Sequence, residues 1–142
     1  MIGDELSVYF ENAARDSLGY EHVEGCLRFT RDGVELHFDE RDRAFRKIPP
    51  ETASFSYAEV TRVEYVNRWF RPKRLVLQTR SPEKLTRFPG AEVGQVSLFV
   101  KPESLADAAK APALLEFKHA EAYLKESEER LVEKRRELES DQ

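Results

Sequence analysis

The stretch GCLRFTRDGVELHF (residues 25–38) constrains this chain more than any other. Asp32-Gly33 stands between two runs that alternate apolar and polar, the strongest short-range signal for a two-residue β-hairpin turn. Such a turn sets Arg31 opposite Val34, Phe29 opposite Leu36 and Leu27 opposite Phe38. Leu27, Phe29, Leu36 and Phe38 then share one face, while Arg28, Thr30, Glu35 and His37 share the other.

Similar short runs follow. DERDR (39–43) reads as a charged loop and AFRKI (44–48) as a short strand ending at Pro49-Pro50. SFSYAEVTRVEYV reads as a strand kinked near Ala58-Glu59, with Val63 and Tyr65 alternating in its second half. RLVLQT places Leu75, Leu77 and Thr79 on one face. KLTRF (84–88), bounded by Ser81-Pro82 and Pro89-Gly90, reads as a further strand, and QVSLFV (95–100) closes the series. Short strands punctuated by Gly and Pro point to a small sandwich or barrel. In residues 1–20, LSVYFENAA fits a strand as well as a short helix, and Asp16-Ser17-Leu18-Gly19 reads as a turn.

Beyond Lys101-Pro102 the pattern changes. Ser104–Lys110 suits a helical turn or two, and the run from Pro112 to Gln142 has no further Gly or Pro and is rich in helix formers. Proline suits the first helical position, which predicts a helix from 112 to 139, about 42 Å long at 1.5 Å per residue. Its first half carries the broader apolar stripe (Leu114, Phe117, Ala120, Leu124, with Ala113 and Leu115 beside it) and is expected to pack on the strands. Its charged second half is expected to project.

Composition limits what such a fold can do. The 142 residues suffice for one domain with an appendage, and a mean hydropathy of -0.64 leaves room for one modest core. No apolar run has the length of a membrane span, and MIGDELSVYFEN lacks the basic flank and apolar stretch of an export signal. Cys26 is the only cysteine and has no partner for a disulfide or a thiolate zinc site. The expectation is a cytoplasmic protein without a cofactor. The net charge of -4 is segregated: residues 1–25 carry -5, residues 26–90 carry +5 and residues 91–142 carry -4. Either the middle meets an anionic partner, or the acidic ends fold back on it, or subunits meet head to tail.

Strands followed by one terminal amphipathic helix is an order that resembles a pleckstrin-homology-like domain. GCLRFTRDGVELHF is similar to the opening hairpin, and FSYAEVTRVEY to the mid-barrel segment of GRAM and bacterial PH-like families. RLVLQT, FPGAEVGQVSLFV and ALLEFKHAEAYL resemble the closing strands and capping helix. The resemblance implies a mainly β fold with a C-terminal helix (α+β). That is a bent antiparallel barrel or sandwich of about seven strands, one end capped by a long helix, with a binding rather than a catalytic role. It divides the chain into an N-terminal segment (1–21), a barrel with capping helix (22–125) and a charged helical extension (126–142). Two departures matter. The first loop is only Asp32-Gly33, which argues against a phosphoinositide site there. The helix tryptophan of eukaryotic members is missing, so Phe117 or Tyr123 would take its place.

Two places stand out as contact surfaces. In NRWFRPKR (67–74), Arg68, Arg71, Lys73 and Arg74 surround the only tryptophan, Trp69, and Phe70. Val63/Tyr65 and Leu75/Leu77 would be the arms of that hairpin. Cations interleaved with aromatics suit an anionic partner or a protein hot spot. The competing reading, which the composition favours, has Trp69 or Phe70 folding back to seal the barrel end. On the helix, Phe117, Leu124, Leu131 and Leu138 recur every seven residues, with Leu124, Leu131 and Leu138 as the candidate interface. A second seam position is missing, so a charged helix that frays beyond 130 competes with a coiled coil. His22, His37 and His119 lack metal spacing, and no phosphate loop or acid–base frame is present. The first expectation is therefore a non-catalytic scaffold that binds protein, itself included. The second is a peripheral membrane module that meets anionic headgroups through the 67–74 loop. Nucleic acid fits poorly with two acidic ends.

Overall fold

A computed structural model of the chain describes residues 5–12, 22–41 and 47–140. The predicted turn at Asp16–Gly19 and residues 44–46 of the predicted strand AFRKI lie outside them. Among the described residues, seven antiparallel strands form two sheets, followed by one long helix. The first sheet is a meander of β1 (Leu6–Asn12), β2 (His22–Phe29), β3 (Gly33–Arg41) and β4 (Lys47–Ser56). The second is β5 (Val60–Val66), β6 (Arg74–Thr79) and β7 (Gln95–Phe99). A 3-10 turn (Pro82–Leu85) lies between β6 and β7, another (Pro102–Ser104) follows β7, and α1 spans Leu105–Ser140.

The strand count matches the expectation, but its members differ. LSVYFEN, which the sequence left open, is β1, and it buries Val8 and Phe10 completely. The segment at 84–88 is not a strand. Pro82 opens a 3-10 turn there, and Leu85 and Phe88, three residues apart, are the buried pair. DERDR is not wholly a loop, because β3 continues through Arg41. The Pro49-Pro50 pair does not end a strand either. It lies inside β4, at the edge of its sheet, where a missing N–H costs no ladder bond, and beside a register shift opposite Phe38/Glu40. At Tyr57–Glu59 the chain does more than kink: it leaves one sheet and enters the other.

The β2–β3 hairpin exists with a different register. Phe29 faces Val34 and Leu27 faces Leu36. The turn residues are Arg31-Asp32, closed by the Thr30 N–H donating to the Gly33 carbonyl at 2.8 Å and by the Gly33 N–H donating to Thr30 Oγ1 at 3.2 Å. Gly33 therefore belongs to the strand, where a Cβ would collide with the Phe55 carbonyl of β4. The slip keeps side-chain parity, so Leu27, Phe29, Leu36 and Phe38 still share the core face.

The two sheets meet at β1 and β7. Phe10 bridges to Val100, and the Asn12 amide extends the pairing by donating to the Ser97 carbonyl and accepting from the Phe99 N–H, both at 2.9 Å. The start of α1 covers the open edge of β1. Ser104 Oγ accepts from the Tyr9 N–H at 2.9 Å and Asp107 Oδ2 from the Ser7 N–H at 3.3 Å.

Pro112 is an interior residue of α1, not its first. It removes one helical hydrogen bond, and packing on both sides of it carries the helix through. The packed face is Ala108, Ala111, Leu115 and Lys118, continuing from the buried Ser104 of the preceding turn and rotated by one residue from the predicted stripe. Two alanines let the helix approach the sheets closely, which leaves Phe117, Tyr123 and Leu124 outside. No helical aromatic takes the place expected from the PH-like resemblance. From Ala120 to Ser140 every residue but Ser127 is exposed, giving a projecting arm about 30 Å long. Among the described residues no helix is long and apolar enough to cross a membrane.

Candidate docking surfaces

The 67–74 segment is the tip of the β5–β6 hairpin. Val63 pairs with Leu77 and Tyr65 with Leu75, as the alternation predicts, and Val66 with Arg74 closes the ladder. The Arg71 N–H donates to the Arg68 carbonyl at 3.3 Å, which makes Arg68–Arg71 a β-turn with Trp69 and Phe70 at its centre. Phe70 has a φ of 64°, the left-handed region where a type II turn favours glycine. A bulky side chain there is strained by about 1–2 kcal/mol.

The turn holds both rings outside the domain. Trp69 is 88% exposed and Phe70 93%, and their rings stack 5.3 Å apart at an interplanar angle of 5°. Trp69 is not a plug. The core closes without it, through Val63, Leu75, Leu77, Val96 and Leu98 on this sheet. Arg68 and Arg71 are exposed beside the rings, whereas Lys73 and Arg74 are half-buried at the base, Arg74 reaching Ser97 Oγ at 3.5 Å. Among the described residues none of the four forms an ion pair, and Tyr65–Pro82 contains no acid.

Leu124, Leu131 and Leu138 are all exposed on the arm. The arm's charge comes in blocks: residues 121–129 carry four acids and one base, residues 130–136 four bases and one acid.

The two surfaces lie at opposite ends of the molecule. β5 runs toward the tip and β7 returns to it, with Phe99 paired to Arg74 and the Val100 N–H donating to the Lys73 carbonyl at 3.0 Å. α1 starts at that end and runs away from it. At the far end Lys118 Nζ donates to the Arg31 carbonyl at 3.3 Å, and His119 Nε2 meets the carbonyl of Tyr57 at 2.8 Å, just before β5 begins. The root of the arm is thus separated from the tip by the length of β5, about 20 Å.

A cluster that no sequence motif announces gathers on the outer face of the first sheet. Glu11, Glu24 and Asp39 stand directly opposite one another on β1, β2 and β3, with His22 beside them. Ligand atoms of Glu11, His22 and Glu24 lie within 4.8 Å of one another, though Lys101 Nζ is already 3.7 Å from Glu24 as a counter-charge. One row away Cys26 pairs with His37. They form no nucleophile–base pair: burial raises the Cys26 thiol, and both His37 ring nitrogens are engaged at 2.9 Å, with Thr52 and Glu35. Two open clefts of about 280 Å³ flank β4, and neither contains an activated nucleophile.

Comparison with protein-family models, with curated proteins and with solved structures finds no match to this chain.

Proposed function

We propose that the chain is a non-catalytic scaffold module of pleckstrin-homology-like build that binds protein, other copies of itself included, through its two protrusions. Two antiparallel sheets bridged at Phe10–Val100 and covered by a C-terminal helix support the PH-like barrel. The observation that carries the binding role is a helical arm of about 30 Å that serves no packing purpose yet presents Leu124, Leu131 and Leu138 to solvent. Light scattering of the full chain beside one lacking residues 127–142 tests it. The shorter chain is expected to lose assembly, and an unchanged oligomeric state would remove the arm's outer part from the contact.

A second reading, a peripheral membrane module, is favoured by one observation: two stacked aromatics exposed among four cations. Co-sedimentation with phosphatidylcholine vesicles, with and without phosphatidylserine, tests that reading. Equal behaviour with both would remove it.

A further inference from the structure

We infer that the tip of one copy docks on the arm of the next, head to tail, so that assembly continues beyond two chains. This rests on the self-association reading and names the surfaces that perform it.

The tip offers an apolar centre, Trp69 on Phe70, with Arg68 and Arg71 exposed at its sides. Its occupant needs the reverse: an apolar strip with small residues that admit two rings, bordered by acids. The arm carries such a strip on one helical face. Phe117, Leu124 and Leu131 form its ridge at seven-residue spacing, and Ala120 and Ser127 are the small positions between them. Glu121 and Glu128 run along its other side. All but the half-buried Ser127 are exposed. Glu121 is 3.8 Å from Lys118 Nζ, a partly screened pair, and Glu128 forms no ion pair among the described residues.

The charges are opposite in sign. The acidic half of the arm carries a net -3, while the tip carries four cations with no acid between Tyr65 and Pro82. Opposed potentials of this kind steer encounter and fix orientation. The arm's own basic half, residues 130–136, surrounds the outer end of the strip at Leu131 and repels a second tip, which limits the arm to one partner.

Geometry then decides what assembly results. Tip and arm leave opposite ends of the domain, the arm pointing away, so a chain cannot satisfy its own tip. A contact between two different surfaces is heterologous, and when its rotation does not close it repeats without limit. A seam between two arms would be isologous and would stop at a dimer. The single file of leucines, with no second seam position, makes that the poorer use of the same face.

The test is charge reversal on full-length protein, read by light scattering. Arg68→Glu with Arg71→Glu destroys the tip and leaves the arm intact; Glu121→Lys with Glu128→Lys does the converse. Each variant alone is expected to weaken association about twenty-five-fold, at roughly fivefold per exposed charge pair, and to have the mass of one chain. An equimolar mixture is expected to recover growth beyond two chains, because the native tip of one variant meets the native arm of the other and the reversed tip meets the reversed arm. Combining all four reversals in one chain restores growth and shows that the single-surface variants were folded. A tip variant that remains a dimer overturns the head-to-tail contact and leaves self-association standing as an arm-to-arm seam. A mixture that stays at the mass of one chain overturns it too. A wild-type chain that stays monomeric at every concentration overturns both.

Discussion

Lys118 is only 7% exposed, and its Nζ donates to the carbonyl of Arg31 at 3.3 Å, fastening the helix to the turn of the β2–β3 hairpin. The same ammonium lies 5.6 Å from the centre of the Tyr57 ring, and the hydroxyl of Tyr57 donates to the Thr30 carbonyl. A lysine was not an obvious core residue, yet its stem completes the face begun by Ala108, Ala111 and Leu115. This clamp sets the direction in which the arm departs.

Lys118→Met keeps the stem and removes the charged donor, and is expected to destabilise by about 1–2 kcal/mol. Lys118→Ala also loses packing and is expected to cost about 2–3 kcal/mol. Urea unfolding of the two variants beside the wild type measures both, and equal losses would mean that the hydrogen bond contributes everything and the stem nothing.

Glu59 ties the passage between the sheets. Its carboxylate accepts from Lys84 Nζ, the Ser56 N–H and Ser81 Oγ, and these bonds hold its pKa down to about 2 from an ordinary 4.5. A depressed folded-state pKa contributes stability that is complete above the unfolded value and lost as pH falls through the folded one. Thermal stability is therefore expected to fall between about pH 4.5 and pH 2. Glu59→Gln should unfold at a lower temperature at neutral pH and show a shallower decline over that window.

Gly33 serves close approach and not the turn, which gives it a distinctive substitution pattern. Gly33→Ala is expected to cost about 1–3 kcal/mol, as overpacking does, because its Cβ meets the Phe55 carbonyl. Gly33→Asn, which a left-handed turn position would tolerate, should be at least as damaging. Asp32→Ala, at an exposed turn residue, should be mild. Denaturant midpoints for the three distinguish close approach from turn geometry.

This position also shows what sequence can and cannot convey. Alternation along 25–38 fixes which residues face the core, and that reading survives a two-residue slip because parity is unchanged. The slip goes with a turn closed by Thr30 on Gly33, and it sets Gly33 against the Phe55 carbonyl of β4, a partner that lies outside the hairpin. The helix face was misplaced for a similar reason: Leu114, Phe117 and Leu124 outweigh Ala108 and Ala111 in any hydrophobic count, but small residues win where a helix must lie close to a sheet. Composition argued that the lone tryptophan would be buried. Only the Arg68–Arg71 turn, with Phe70 in the left-handed region, shows why it is not. The row Glu11–Glu24–Asp39 was illegible because it exists only once three strands are in register.

Phe70→Gly separates stability from contact. Glycine relieves the strain at a φ of 64°, so the variant is expected to gain up to about 1 kcal/mol in unfolding free energy. It also removes half of the aromatic pair, so its assembly should weaken. A variant that is both less stable and fully assembling would mean that the ring is held by local packing and touches no partner.

The central claim is that the chain binds itself through exposed, oppositely charged protrusions. Light scattering of the unmodified chain over a concentration series, at low ionic strength and at about 1 M salt, where the screening length is about 3 Å, tests it most directly. The account predicts an average mass that grows beyond two chains with concentration at low salt and returns toward 16.5 kDa at high salt. A mass fixed at one chain in both conditions, or an assembly indifferent to salt, would contradict it.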